Sequence, residues 1–283
     1  MFKTDLLAGK RALITGGGTG LGRSIGERYL ELGAELVICG RRVAVLEQTA
    51  SEMRAARPGA KVTPIGCDVR DAAAVEAMMD RIWADRPLDI LVNNAAGNFL
   101  AQTHKLSPRA IDSVLNIVLH GAAYCTVACG RRWIDGGRPG TVLSILTLSS
   151  LHGAPFSVPS AMAKAGVLAM TRSLAVEWGP KRIRLNAVAP GPFPTEGAWR
   201  RLVPDAQAAS QPLDRGIPLG RFGEHRELAD LCSFLVADGS GYINGDCIVI
   251  DGGKRWLGGA GAGAAASMMG WTDAQWDEWR AKR

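Results

Sequence analysis

Between Pro139 and Thr171 the chain carries one formal charge, the ammonium of Lys164, set in the apolar stretch Ser160-Ala-Met-Ala-Lys-Ala-Gly-Val-Leu-Ala169. An ammonium in an apolar helix is costly unless something partners it, so its presence points to a cation kept for a ligand or a reacting group. A stem that snorkels its charge to the surface is the plainer alternative. Ser160 stands four residues earlier, on the same helical face. Upstream, Ser144-Ile-Leu-Thr-Leu-Ser149-Ser150 brings hydroxyls to the end of a β-rich run.

A second cluster is Thr15-Gly16-Gly17-Gly18-Thr19-Gly20-Leu21-Gly22. Glycines so placed let the backbone turn tightly and approach a pyrophosphate, which then sits at a positive helix N-terminus. The spacing is GxxxGxG, not the GxGxxG of the longer dinucleotide fingerprint. A purely structural turn is the alternative, but a place between the first strand and the first helix favours a nucleotide. The next β-rich run ends Cys39-Gly40-Arg41-Arg42, with no acid. A carboxylate at that point would hold the ribose 2′-hydroxyl of NAD, whereas arginine accepts the 2′-phosphate of NADP. Arg41 and Arg42 therefore point to NADP(H), with ordinary surface arginines as the alternative.

The elements that must position these groups alternate along the chain. Strands are expected at Arg11–Thr15, Glu35–Cys39, Lys61–Ile65, Asp89–Val92, Thr141–Thr147, Ile183–Val188 and Cys247–Ile250, and helices at Leu21–Leu32, Val43–Arg57, Ala72–Ala84, Ala110–Arg131, Pro159–Trp178 and Glu224–Val236. Nearly continuous apolar strands imply a parallel sheet buried on both faces. Strict alternation implies right-handed crossovers and one doubly wound, Rossmann-type α/β domain with a seven-stranded parallel sheet. That domain is expected to span residues 1–253, followed by a Gly/Ala- and Trp-containing tail at 254–283.

Composition bounds the rest. The 283 residues are 47% hydrophobic and 21% charged, enough to bury a large core and unlike a collagen, a disulfide miniprotein or a disordered chain. No apolar run approaches the ~20 residues of a membrane span, and the first eleven residues lack a secretory apolar core. The six cysteines form no CxxC pair, which fits reduced, buried thiols in a cytoplasmic enzyme. Cys125 and Cys129 are four apart on a helix, but no acidic or His cluster accompanies them, so core packing is expected and no metal. The net charge of +6 is scattered, which favours small anionic ligands over nucleic acid.

Thr15–Gly22, Asp68, Asn93-Asn-Ala-Ala-Gly97, Lys164 and Pro190-Gly-Pro192 together resemble the short-chain dehydrogenase/reductases, over about residues 8–253. Within them the chain is most similar to 2,4-dienoyl-CoA reductases, through Gly16–Gly22, Asn93–Phe99, Val158–Gly166 and Ala189–Pro192. The resemblance implies that Thr15, Gly16, Gly18, Thr19, Gly20, Leu21, Gly22, Asp68, Val69, Asn94, Ala95, Lys164, Pro190, Gly191, Pro192 and Phe193 join Arg41 and Arg42 in holding the cofactor. It places Asn98, Phe99 and Arg201 on the substrate, Asn98 as a donor to the thioester oxygen. Lys164 would hold the nicotinamide ribose, with Ser160 supporting it. A homotetramer is also implied, with the last strand at a subunit interface.

The departures matter as much. The superfamily's Tyr, four residues before the Lys, is Ser160 here, and the dienoyl-CoA reductases' Tyr, fifteen before it, is Ser149. A serine hydroxyl is a poor general acid, so simple carbonyl reduction is disfavoured. Reducing a conjugated thioester needs only donors for the developing oxyanion, a role Ser149 is expected to share, and a later proton from water. The expected activity is thus NADPH-dependent reduction of a dienoyl- or enoyl-CoA, auxiliary to fatty-acid β-oxidation. A ketoacyl-directed relative and an NADP-binding pseudoenzyme remain the alternatives.

Overall fold

The computed structural model of the chain describes residues 2–197, 216–257, 268 and 270–281. The apolar runs form β1 (Arg11–Thr15), β2 (Glu35–Gly40), β3 (Val62–Gly66), β4 (Ile90–Asn93), β5 (Gly140–Ile145), β6 (Ile183–Pro190) and β7 (Cys247–Ile250). They pair in the order β3-β2-β1-β4-β5-β6-β7, every neighbour parallel. Winding reverses between β1 and β4, and ligands of such sheets bind in the crevice at the carboxyl ends of the strands flanking that point.

Alternation along each strand decides which helix layer it supports. Ala12, Ile14, Leu36 and Ile38 face α1 (Gly20–Glu31), α2 (Val43–Ala56) and a later helix, His225–Val236. Leu13, Val37, Cys39 and Leu91 face α3 (Ala72–Asp85) and the helices Gly121–Asp135 and Val158–Trp178. With both faces covered, the strands read as unbroken apolar runs. The exceptions are the edge strands: β3 is partly exposed, and β7 is so along its whole length.

Two expected elements differ. The helix foreseen at Ala110–Arg131 begins earlier, as α4 (Pro108–Leu115), because Pro108 fits the first turn and Ser107 accepts the Ala110 N–H. It then passes through a π-helical turn, Asn116–His120, into α5 (Gly121–Asp135). The continuous stretch Pro108–Asp135 is long and apolar enough to cross a membrane by length and composition, contrary to the expectation that no run approaches this. Half of its most apolar window is buried, as in a core helix. The strand foreseen to Thr147 stops at Ile145, and Ser149 opens a short helix, α6 (Ser149–His152), before α7 (Val158–Trp178).

The helix after β6 is α8 (His225–Val236), closed at its start by a capping box of Glu224 and Glu227. All six cysteines are free; Cys125 and Cys129 are fully buried in the core, where the Cys129 thiol lies 3.6 Å from the sulfur of Met79. After β7 come α9 (Lys254–Leu257) and α10 (Asp273–Ala281). Around α10, the Trp271 ring meets Trp276 and Trp279 edge-on at 5.1 and 5.7 Å.

Candidate active site at the carboxyl edge of the sheet

The glycine turn joins β1 to α1 as its spacing requires. Gly16 adopts φ +67°, a conformation that favours glycine. A Cβ on Gly22 would come within 2.6 Å of the Gly16 carbonyl oxygen, so any side chain there would fill the cradle. Thr19 caps α1 in extended conformation without a side-chain cap bond, and no acid stands in the first turn. The first N–H groups of α1, from Gly20, Leu21 and Gly22, are thus left for an anion. Gly18 packs behind them, its carbonyl accepting from Thr49 Oγ1 at 2.8 Å.

Thr15 and Asn94 lock this turn to β4. Thr15 Oγ1 accepts the Asn94 and Ala95 N–H groups, both at 3.0 Å, and Asn94 Nδ2 donates to the Thr15 carbonyl at 2.9 Å. Asn93 turns the other way, to Thr126 Oγ1 at 2.8 Å. Arg41 and Arg42 are exposed between β2 and α2, and Asp68 and Val69 follow β3, with Val69 packed on α5 at Gly121. On the far side, the Gly191 N–H donates to the Ile250 carbonyl at 2.8 Å, Pro192 accepts from Gly223, and Phe193 is buried. Pro190 closes β6. Arg201 lies outside the described residues.

Lys164 is buried, and its Nζ donates to the Ile145 carbonyl at the end of β5. It lines a small recess with Thr15, Val69, Asn93, Ala95, Ile145 and residues of the π turn and α5. One N–H of the ammonium is used, leaving two. Burial pushes its pKa down from 10.5 to about 8. The cationic form therefore holds below that value and is lost as pH rises through it. If the cation serves cofactor binding, kcat/KM for the cofactor should decline above pH about 8, and a profile flat to pH 10 contradicts that use. Ser160 is buried one turn before the lysine, on the same face of α7.

The loop after β4 carries Asn98, whose Oδ1 accepts the Phe99 N–H at 2.9 Å. A backbone N–H only donates, so this bond fixes the amide with Nδ2 free to donate elsewhere. Phe99 packs against Val114, Val118 and Ala163, next to Lys164 on α7. Ser149 and Thr147 share a hydroxyl–hydroxyl bond of 2.6 Å. The pair has two protons and spends one internally, so one remains for a third group. No tyrosine joins them. Tyr29, on α1, is buried with its hydroxyl 3.3 Å from the Cys232 carbonyl, Tyr124 of α5 lies near the ring of His120, and Tyr242 is fully exposed before β7.

Two positions had no sequence signal. The π turn contributes Ile117 and Val118 to the recess wall, and such turns often mark functional sites. His225, opening α8, donates from Nε2 to the Pro194 carbonyl at 2.7 Å. Its Nδ1 lies 2.8 Å from Ser24 Oγ on α1, within hydrogen-bond distance. This pins the loop after β6 beside the start of α1, where Thr195 lies close to Gly20.

A glycine cradle at a helix N-terminus, a switch-point crevice and a buried lysine beside it define a nucleotide-dependent oxidoreductase. The family model described as enoyl-(acyl carrier protein) reductase matches residues 16–255, and the chain belongs to the short-chain dehydrogenase/reductase family, which binds a nicotinamide cofactor. The chain is 41% identical to a probable 2,4-dienoyl-CoA reductase [(2E)-enoyl-CoA-producing] of Bacillus subtilis over 88% of this chain and 97% of that one. It is 42% identical to probable 2,4-dienoyl-CoA reductase 3 [(3E)-enoyl-CoA-producing] of Caenorhabditis elegans, over 90% and 83%. Among solved structures, a short chain dehydrogenase from Bacillus anthracis superposes with a TM-score of 0.78 at 39% identity, covering 87% of this chain and 96% of that one.

Proposed function

We propose that this oxidoreductase is an NADPH-dependent reductase of conjugated acyl-CoA thioesters, with 2,4-dienoyl-CoAs as its substrate class. The observation that carries the reading is a donor set without a phenol: the Asn98 amide, the Thr147–Ser149 hydroxyl pair and the Lys164 ammonium. Such a set stabilises an oxyanion but lacks the acid that a simple ketone requires. The names of the relatives support the same reading.

The bound nicotinamide would supply the hydride, to the distal alkene carbon of the substrate. Asn98 Nδ2 and the spare hydroxyl proton of the Thr147–Ser149 pair then hold the thioester oxygen as charge reaches it, and water protonates carbon. Lys164 holds the ribose hydroxyls, Ser160 supports it, and the N–H groups of α1 take the pyrophosphate. Apolar side chains stand exposed near these donors: Leu100 two residues beyond Asn98, Leu151 two beyond Ser149, and Phe156, whose carbonyl accepts the Ala101 N–H at 2.8 Å. They offer an acyl chain a surface that a sugar would not use.

For the cofactor, Arg41 and Arg42 with no acid beside them on β2 favour NADPH. The wild type should show a higher kcat/KM with NADPH than with NADH, and Arg41→Asp combined with Arg42→Ala should move the preference toward NADH. Equal use by the wild type sinks this part. A cytoplasmic homotetramer completes the reading, with the partly exposed edge strand β7 as the seam between subunits. A sedimentation mass of one chain at micromolar concentration contradicts the assembly.

A further inference from the structure

Where the adenosine end of the cofactor would lie, the turn after β3 presents a carboxylate, Asp68, and the residue two positions on grips it. Arg70 Nε stands 3.0 and 2.9 Å from the two Asp68 oxygens, Nη2 is 2.5 Å from Oδ2, and the Arg70 N–H donates to Oδ1 at 3.1 Å. The register pairs Gly40 with Gly66, and the Cys67 N–H donates to the Gly40 carbonyl at 2.9 Å. Asp68 thus sits across from Arg41 and Arg42, one strand away. The Arg70 pair first, and the Arg41 charge more weakly, hold the Asp68 carboxyl below the usual carboxylate range.

This clamp is not needed to build the turn. Asp71 already caps α3 by accepting the Ala73 and Ala74 N–H groups at 2.9 and 3.2 Å. Arg70 and Asp68 are both partly exposed, where an ion pair adds little to stability. Its consequence is electrostatic: a bare carboxylate here would repel a phosphate monoester held by Arg41 and Arg42.

We propose that Arg70 is a specificity-determining residue, which by pairing with Asp68 neutralises the carboxylate that would otherwise oppose a ribose 2′-phosphate. The inference rests on the NADPH reading above and deepens it.

The test is calorimetric titration with adenosine 2′,5′-bisphosphate and with 5′-AMP, which differ by the 2′-phosphate and undergo no turnover. Wild type should bind the bisphosphate more tightly. Arg70→Gln should cut that ratio roughly five- to tenfold, the scale of a screened interaction between exposed charges. Arg70→Lys, which keeps the charge, should retain most of it. The double variant Asp68→Asn with Arg70→Gln has no carboxylate to screen and should regain the wild-type ratio, whatever it loses in adenine contacts. A normal wild-type ratio left unchanged by Arg70→Gln overturns the inference alone. A double variant that stays low also overturns it, by making Arg70 a direct phosphate ligand. A wild-type ratio near one overturns the NADPH reading and this inference together.

Discussion

Lys164→Met should lower kcat/KM for a dienoyl-CoA by about 10³-fold and weaken NADPH binding, because it removes the one cation that lines the recess among the described residues while keeping an apolar stem. The side chain is buried, bonds the Ile145 carbonyl and has two further N–H groups to give. The same substitution separates function from stability. Burial lowers the lysine from 10.5 to about 8. Between those values the unfolded chain keeps the proton and the folded chain releases it, so wild-type stability should rise with pH across that window. Lys164→Met should flatten the slope and leave the protein at least as stable at pH 7. Denaturant midpoints at several pH values, set beside steady-state kinetics, read both effects. Wild-type turnover in Lys164→Met would remove the lysine from the mechanism.

The second large effect concerns the vacant acid position. Asn98→Ala should lower kcat by roughly 10²–10³-fold, the usual effect of deleting one oxyanion donor, with less change in KM. Its amide is set for this by the 2.9 Å bond from the Phe99 N–H. Ser149→Tyr should preserve or raise dienoyl-CoA reduction, since a phenol placed beside Thr147 both donates to the oxyanion and can protonate carbon. Isolated ketones should be poor substrates of the wild type, whose hydroxyl pair cannot protonate an alkoxide effectively. A kcat unaffected by Asn98→Ala would assign the thioester oxygen to other donors.

Much of this was legible in the residues. Seven apolar runs fixed the sheet, because strands buried on both faces have no polar side to blur the pattern. Lys164 stood out since nothing charged surrounds it in sequence, and the glycine turn since its backbone positions tolerate no side chain. What the sequence does not display depends on through-space partners. Ser24 and His225 are 201 residues apart, and neither is unusual where it stands. The π turn at Asn116–His120 leaves the apolar pattern of a long helix intact, so Ala110–Arg131 read as one regular helix. Thr147 looked like the end of a strand because β-branched residues favour extended backbone. In the fold the strand ends at Ile145, whose carbonyl accepts from Lys164, and Thr147 instead turns to meet Ser149. The stretch Pro108–Asp135 does not read as one apolar run because Ser113, Asn116, His120 and Thr126 interrupt it, although its charges, Arg109, Asp112, Arg131, Arg132 and Asp135, gather toward its ends.

The central claim is that this site reduces an activated alkene without a phenolic acid. Its most direct test is NADPH oxidation by the purified protein, followed with a 2,4-dienoyl-CoA and with a 3-ketoacyl-CoA of the same chain length. The account predicts steady, saturable oxidation with the dienoyl-CoA and none above background with the ketoacyl-CoA. Turnover of the ketoacyl-CoA alone contradicts it, as does an NADPH-binding protein inert on dienoyl- and enoyl-CoAs both before and after Ser149→Tyr.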